Sequence, residues 1–160
     1  MKIPIWLRAL SFFLIAPGSI VFLVPLWING DDWTPRAGQL GRVVAIALFA
    51  IGMGILLWCF RDFVVRGRGT PAPYDPPRKL VVEGLYRFTR NPMYVGIVTA
   101  LFGESLWRWS SSLALYAIAV AVAFHLRVLL YEEPKLTELF GEEFLTYKRQ
   151  VPRWLPTLGH

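Results

Sequence analysis

The chain has 160 residues, of which 55% are hydrophobic and 18% are charged, and its mean hydropathy is +0.45. Soluble domains carry about 25% charged residues, so this composition excludes a disordered chain, a disulfide framework and a typical water-soluble enzyme. The net charge of +6 does not indicate a nucleic-acid partner, because the basic residues lie between apolar segments and form no single exposed face. With one cysteine, neither a disulfide nor a metal site is predicted. The composition predicts an integral membrane protein.

Four apolar runs predict an all-α integral membrane bundle of about four transmembrane helices. Three runs without Asp, Glu, Lys or Arg are at least 18 residues long, enough to cross a hydrocarbon core of ~30 Å. The run that begins at Asn91 reaches that length only with Glu104 and Arg108 at the far interface, so a buried or partial span is the alternative. Pro17 and Gly18 are expected to kink the first helix without ending it. The single membrane domain, 1–160, would hold spans at about 6–28, 40–60, 92–108 and 109–131.

Basic residues fall unevenly on the two sides of such a bundle. With four spans, 14 of the 17 Lys and Arg residues share the side of both termini and of the 61–90 loop. The positive-inside rule therefore predicts a multi-pass protein with both termini in the cytoplasm. Four prolines in residues 70–77 predict an extended loop. Pro134 is expected to bend the chain and start a new helix, and apolar spacing in 135–150 predicts an amphipathic interfacial helix interrupted or bent at Gly141.

The polar residues of the second half form two clusters on the predicted cytoplasmic side. Asn91 followed by Pro92 is a good helix start, with Asn91 as N-cap. The free N–H groups there and the charge of Arg90 would suit a carboxylate or phosphate, although a capped helix beside a snorkelling Arg is the simpler alternative. Glu132 and Glu133 would suit an ammonium group or hydroxyls, unless they form an ordinary solvated helix end.

Two further polar residues lie on the predicted fourth span. His125 precedes Glu132 by nearly two turns, so both share one helix face, although an intramembrane His is more often a packed polar residue than a catalyst. Arg127 lies about 140° around the helix from Glu132, and the simpler alternative to a functional role is that its side chain extends to the membrane interface. Tyr86 and Tyr94 could stack on a base or approach a sulfonium. A basic helix start, a carboxylate pair and these rings together match the groups of S-adenosylmethionine.

Two segments of the sequence resemble the signature of isoprenylcysteine carboxyl methyltransferases, whose wider group includes the phospholipid N-methyltransferases. The first segment, 84–96, contains Arg-Asn-Pro-Met-Tyr at 90–94, and the second, 132–156, begins Glu-Glu-Pro. The resemblance covers roughly residues 78–156, half of the chain, and the first two spans carry no comparable signature. It implies an integral membrane methyltransferase that uses S-adenosylmethionine.

The resemblance also implies which residues contact the cofactor, in the cytoplasmic elements 78–96 and 132–156. The positions are Arg78, Lys79, Leu80 and Val81 in a strand-like entry segment, Tyr86, Asn91, Pro92, Met93, Tyr94 and Glu132. The charge at the helix start adds Arg90 to these cofactor-binding candidates. The tail around 151–156 would cover the cofactor. The sequence departs from the family pattern at two positions. Asn91 stands where the family commonly has His, which removes any acid–base role there, and Val128 stands where the carboxyl methyltransferases have an Arg one turn before the Glu pair.

The resemblance thus predicts methyl transfer to a lipophilic acceptor that resembles an isoprenylcysteine carboxylate and enters between the third and fourth spans. The alternatives are a phospholipid amine or a small thiol as acceptor, or a non-enzymatic four-span transporter or scaffold. Three residues are candidates for catalysis: His125 and Glu133, which could assist an amine acceptor in losing its proton, and Arg127, the Arg nearest to the Glu pair. Membrane lipids are expected partners, and nucleic acid is not.

Overall fold

The computed structural model describes residues 5–30, 32–62, 64–65 and 79–155. In these residues the chain is all α-helical, as expected, and contains no strand. The helices are α1 (Ile5–Gly18), α2 (Val24–Asn29), α3 (Gln39–Asp62), α4 (Pro92–Arg108), α5 (Ser111–Arg127), α6 (Glu133–Phe140) and α7 (Glu142–Gln150). A 3₁₀ turn, Gly84–Arg87, precedes α4, and π-helical turns at Ser19–Leu23 and Val128–Glu132 join α1 to α2 and α5 to α6.

The segment expected to be strand-like, 78–81, is irregular in its described part, 79–81. Arg78 and the proline-rich loop 70–77 lie outside the described residues. A sharp backbone turn at Gly84, where φ is +63°, follows this irregular segment, and a Cβ at Gly84 would stand only 2.1 Å from Oδ2 of Asp62. Only glycine combines this left-handed conformation with so close an approach. Gly84 therefore seats the 3₁₀ turn, and with it Tyr86, against the end of α3.

The expected restart of the helix at Pro134 is wrong, because α5, its π turn and α6 form one helical stretch from Ser111 to Phe140. An α-helical turn before a proline would press the ring against the carbonyl four residues earlier. Here the N–H of Glu133 donates to the carbonyl of Val128, five residues back, and this wider turn makes room for the ring. The same arrangement precedes Pro25 in the first span. A π turn therefore accommodates each of these two prolines, Pro25 and Pro134, within a continuous helical stretch.

The fourth predicted span, 109–131, begins two residues later than expected. Trp109 is left-handed, with φ of 50°, and ends α4. Ser110 then caps α5 by accepting a hydrogen bond from the N–H of Leu113 at 3.3 Å, as Ser side chains commonly do at helix starts. The tight connection makes α4 and α5 antiparallel neighbours.

α4 packs along α3 through a contact of small residues. A Cβ added at Gly52 of α3 would lie 2.6 Å from both the N of Ala100 and the O of Gly96 on α4, and one added at Gly103 would lie 2.8 Å from the O of Ala45. Small residues of this kind let helix backbones approach closely, which is how membrane helices gain packing energy. The contact fixes α4 in the centre of the bundle.

Replacing Gly52 with alanine is expected to destabilise the protein by about 1–3 kcal/mol, because the methyl group forces α3 and α4 apart. The matched control is Gly54→Ala on the same helix, where an added Cβ meets nothing within 4 Å. At such an open position alanine is more favourable than glycine in a helix by about 1 kcal/mol. Thermal unfolding in detergent micelles measures both variants. Equal midpoints for Gly52→Ala and the wild type would contradict the close contact.

Three stretches of the described chain are long and apolar enough to cross a membrane, namely Leu10–Asn29, Gln39–Asp62 and Ser111–Phe140. α4 is not among them, because its 17 residues rise only about 26 Å and include Glu104 and Arg108. Both side chains were expected at the far interface, yet only 7% of Glu104 and 3% of Arg108 is exposed. The chain is thus a membrane protein with three candidate spans, and a fourth crossing by α4 stays a prediction.

The tail is amphipathic and interrupted at Gly141, as predicted. Gly141 has a φ of +51° and separates α6 from α7. Phe144 and Tyr147 of α7 are buried with Val151, and Leu80, Leu136 and Phe140 pack against them, whereas Leu139, expected on the apolar face, is 46% exposed. The apolar face of the tail therefore packs on the start of the 79–96 segment.

Candidate functional site

A narrow cleft lies where the segment before α4, the π turn after α5 and the two tail helices meet. Its volume is about 80 Å³, so the side chains that line it lie close to one another. Both elements that the sequence predicted for the cofactor contribute to its walls. The lining residues are Leu80, Val81, Tyr86, Arg90, Asn91, Val128, Glu132, Glu133, Leu136, Phe144 and Tyr147.

Glu133 is the centre of a buried ionic cluster at one wall of the cleft. Its Oε1 accepts hydrogen bonds from Nη1 of Arg90 at 2.9 Å and from Nε of Arg153 at 2.6 Å. Its Oε2 lies 2.7 Å from Nζ of Lys148. Hydrogen bonds to the carboxylate raise the pKa of Arg153, so the guanidinium stays charged. Three cations on one carboxylate leave Glu133 poorly suited to accept a proton, and they tie α7 and the chain after it to the start of α4.

A short C-terminal strap, residues 151–155, lies across the start of α4. The N–H of Arg90 donates to the carbonyl of Pro152 at 2.9 Å. The carbonyl of Arg153 accepts from Oγ1 of Thr89 at 3.0 Å and from Nδ2 of Asn91 at 3.1 Å. Asn91 occupies the predicted N-cap position, but its side chain makes no capping hydrogen bond, because it is used to hold the strap.

Two tyrosines close the inner end of the cleft. The hydroxyl of Tyr147 on α7 donates to the carbonyl of Tyr86 in the 3₁₀ turn at 2.6 Å. Burial raises the pKa of the Tyr147 hydroxyl, which keeps it protonated as a donor. Phe144, 1% exposed, packs beside Tyr147. These contacts join the tail to the 79–96 segment independently of the ionic cluster.

Glu132 lies at the junction between the cleft and a second cavity. It accepts hydrogen bonds from the hydroxyl of Tyr94 on α4 and, at 2.8 Å, from Nε of Arg127. The ring of Tyr94 stacks on Phe124 with centroids 4.1 Å apart. The predicted proximity of Tyr94 and Glu132 is therefore present, and Arg127 is bound to the carboxylate instead of standing apart on another helix face.

The second cavity is an apolar groove between α4 and α5, with a volume of about 450 Å³. Val95, Val98, Phe102, Ile118, Ala121 and Val122 line it together with Tyr94, Thr99, Phe124, His125 and Trp154. At its cleft end, Nε1 of Trp154 donates to Nδ1 of His125 at 3.1 Å. Because that bond uses the Nδ1 lone pair, the neutral ring carries its proton on Nε2. His125 thus anchors Trp154 of the strap at the groove.

The structure brings most of the predicted site residues together. Leu80, Val81, Tyr86, Arg90, Asn91 and Glu132 line the cleft, and Tyr94 lies between cleft and groove. Pro92 and Met93 are buried and do not line the cleft, and Lys79 is exposed at its edge. The three catalytic candidates surround the junction, but His125, Arg127 and Glu133 each already have a polar partner.

Several site residues were not identified from the sequence. Lys148 and Arg153 bind Glu133, and Trp154 binds His125, yet each pair is separated by 15 or more residues and carries no local signal. For Leu136, Phe144 and Tyr147 a signal existed, because their spacing placed them on the apolar face of the tail. What that face packs against could not be derived from spacing alone.

Comparison with known proteins gives a family match over more than half of the chain. The family model described as phospholipid methyltransferase matches residues 40–143. The methanethiol S-methyltransferase of Pseudomonas deceptionensis is 27% identical over 163 residues, which cover 90% of this chain and 58% of that protein. The phosphatidylethanolamine N-methyltransferase of Neurospora crassa is 28% identical over 123 residues, which cover 69% of this chain and 12% of that protein. The protein-S-isoprenylcysteine O-methyltransferase of Mus musculus is 37% identical over 78 residues, which cover 48% of this chain and 27% of that protein. The matches thus span 58% or less of these relatives' lengths.

Proposed function

Because this chain belongs to the phospholipid methyltransferase family, we propose that it transfers a methyl group from S-adenosylmethionine to a lipophilic acceptor in the membrane. The observation that carries the proposal is the junction at Tyr94 and Glu132, where a cleft with three charged side chains in its wall meets an apolar groove. A polar cofactor and an apolar acceptor could reach each other only at such a junction. The cleft side is then the cytoplasmic side, which agrees with the predicted position of both termini.

The side chains of the cleft fit the groups of this cofactor. Nε of Arg90 is buried without a hydrogen-bond partner, so it offers a charged donor to the cofactor's carboxylate. Glu132 offers a carboxylate to its ammonium group or ribose hydroxyls, and Tyr86 and Phe144 offer ring faces. Leu80, Val81 and Asn91 supply the remaining wall, and Met93 and Pro92 support it from behind. When bound, S-adenosylmethionine supplies a methyl group on a sulfonium, which a nucleophile takes with its own electron pair, leaving a neutral thioether.

The residues around the junction position the reactants more than they move protons. Nδ1 of His125 accepts from Trp154, Oε1 of Glu132 accepts two hydrogen bonds, and Glu133 binds three cations. His125 and Glu133 are therefore engaged, and the carboxylate oxygen left open at the junction, Oε2 of Glu132, belongs to the group that we assign to the cofactor. An acceptor that is already a nucleophile, such as a carboxylate or thiolate, needs no base, whereas an ammonium acceptor would have to lose a proton first.

The acceptor that this argument favours is a carboxylate or a thiolate carried on an apolar group. The carboxylate agrees with the isoprenylcysteine-like acceptor that the sequence predicted. A small thiol is the second candidate, and it is favoured by the methanethiol S-methyltransferase of Pseudomonas deceptionensis, whose match covers 90% of this chain. A phospholipid amine is the least favoured, because it is the acceptor that needs a base.

The proposal is tested by supplying vesicle-embedded protein with S-adenosylmethionine labelled in the methyl group. Three acceptors are compared, namely a prenylated cysteine with a free carboxylate, a small alkyl thiol and the vesicle's own phosphatidylethanolamine. We expect label in the first or second. The variant Ala121→Trp, which places a ring in the groove, should slow transfer to the prenylated acceptor about 100-fold, since even small misplacement of a reactant costs that much.

The matched control is Ala119→Trp, an exposed position two residues away that does not line the groove. Its transfer rate should equal that of the wild type, and both variants should bind S-adenosylmethionine normally. Absence of label from every acceptor, with folded protein that binds no S-adenosylmethionine, would favour the non-enzymatic transporter or scaffold. Equal rates for Ala121→Trp and Ala119→Trp would overturn the groove as the acceptor route.

A further inference from the structure

A separate cavity lies at the far end of the bundle, between α3, α4 and the first span. Its volume is about 400 Å³, and its walls are largely the aromatic rings of Phe22, Trp33, Phe49 and Trp107. The rings of Phe22 and Phe49 meet edge to face, with centroids 6.3 Å apart. Nε1 of Trp107 donates to the carbonyl of Trp33 at 2.9 Å, which fixes one wall against the loop after α2.

A single carboxyl group lines this apolar cavity. Glu104 of α4 is 7% exposed, and its buried Oε2 has no hydrogen-bond partner. Arg108, one turn further along α4, does not pair with it. Nη1 of Arg108 lies 3.3 Å from Oδ1 of Asp32 instead, and its guanidinium lies 5.7 Å from the ring centre of Trp33. Glu104 has no cationic partner among the described residues, and a cation bound in the cavity would supply the partner that a buried carboxylate needs.

A carboxylate surrounded by aromatic rings has a definite chemical preference. Ring faces attract cations, and ammonium groups bind to them most strongly in desolvated surroundings. The carboxylate supplies the counter-charge, and an anion would be repelled by it. Phe22 is 48% and Ile46 57% exposed at the cavity's edge, so an alkyl chain can continue from the cavity along the apolar surface of the bundle.

This cavity is distinct from the cleft. Glu104 lies 10 residues after Tyr94 on α4, which corresponds to about 15 Å along the helix. A head group held at Glu104 therefore does not contact the junction at Tyr94 and Glu132. It lies, however, against the close α3–α4 contact at Gly103 and Ala45, which line the same cavity, so its occupant would stabilise the helix pair on which the cleft is built.

We propose that this cavity binds the ammonium head group of a membrane lipid, with Glu104 as its counter-ion and the tryptophan and phenylalanine rings as its walls. Dodecyltrimethylammonium is the probe, titrated into wild-type protein in dodecyl maltoside micelles while tryptophan fluorescence is followed. The neutral detergent has the same tail, so it already competes for binding that depends on the tail alone. We expect saturable binding that weakens about tenfold or more in Glu104→Gln.

The matched control, Glu142→Gln, removes a highly exposed carboxylate on α7 and should bind the probe as the wild type does. If Glu104→Gln does not fold, Trp33→Leu takes its place, because it removes a ring face while the backbone carbonyl that binds Trp107 remains; several-fold weaker binding is expected. Equal binding by Glu104→Gln or Trp33→Leu and by the control would overturn the proposal. The proposal would also be overturned if the wild type bound tetramethylammonium as tightly as dodecyltrimethylammonium, because that result would indicate a free ion and not a lipid as the ligand.

Discussion

Replacing Glu133 with glutamine is expected to destabilise the tail by about 2–3 kcal/mol and to release it from the cleft. The substitution keeps the side chain's shape but leaves Arg90, Lys148 and Arg153 without their shared counter-charge. Breaking a buried ion pair from one side costs about 3–5 kcal/mol. Lys148 and Arg153 are partly exposed, so water screens their interactions with Glu133 and reduces the expected loss to about 2–3 kcal/mol. Thermal unfolding in micelles measures the loss, and limited trypsin digestion at Lys148 or Arg149 reports the release.

The matched control is Glu142→Gln on α7, whose carboxylate is highly exposed and lies 3.9 Å from Arg149. Surface substitutions of this kind usually change stability by less than about 0.5 kcal/mol, so its midpoint and digestion rate should equal those of the wild type. The account of the ionic cluster would fail if Glu133→Gln and Glu142→Gln unfolded at the same temperature and were cut at the same rate.

Replacing Glu132 with alanine is expected to weaken binding of S-adenosylmethionine by roughly 10- to 100-fold. A hydrogen bond to a charged group contributes about 1.5–3 kcal/mol, and this carboxylate is the acidic group of the cleft that we assign to the cofactor. Its loss also frees Tyr94 and Arg127, whose side chains are held by the same oxygen. Calorimetric titration of the purified protein with S-adenosylmethionine measures the change.

The control for Glu132 is Glu138→Ala, six residues further along the same helical stretch. Glu138 is 70% exposed, and among the described residues it pairs only with Lys135, so the isotherm of Glu138→Ala should match that of the wild type. Tyr94→Phe removes only the hydroxyl that binds Glu132 and should have a smaller effect, of about 1 kcal/mol. Unchanged affinity in Glu132→Ala would remove Glu132 from the cofactor site.

The sequence was sufficient to predict the helices but not to predict how their ends are joined. Uncharged runs of membrane length and the Asn-Pro start at Asn91 are local signals, and they located α1 to α5 within a few residues. The helix through Pro134 could not be foreseen, since an isolated proline predicts a break, and the π turn that accommodates it depends on packing. The burial of Glu104 and Arg108 also depended on neighbours that only the tertiary structure supplies.

For the candidate site, the sequence identified the elements and the structure supplied the partners. The helix start predicted a role for Arg90, the resemblance predicted roles for Asn91, Tyr94 and Glu132, and these residues lie together around the junction. The sequence also suggested that Glu133 assists with a proton, whereas three cations hold that carboxylate in an ionic cluster. Pairings of this kind join residues 15 to 43 positions apart, and no periodicity or spacing encodes them.

The central claim is that S-adenosylmethionine binds in the cleft between the 79–96 segment and the tail. Ultraviolet irradiation of the wild-type protein with S-adenosylmethionine labelled in the methyl group, followed by peptide mapping, tests it most directly. The account predicts label in peptides that contain Tyr86 or the Phe144–Tyr147 turn, and its loss when excess unlabelled S-adenosylmethionine is added. Competed label confined to peptides of α1 or α3 would contradict it.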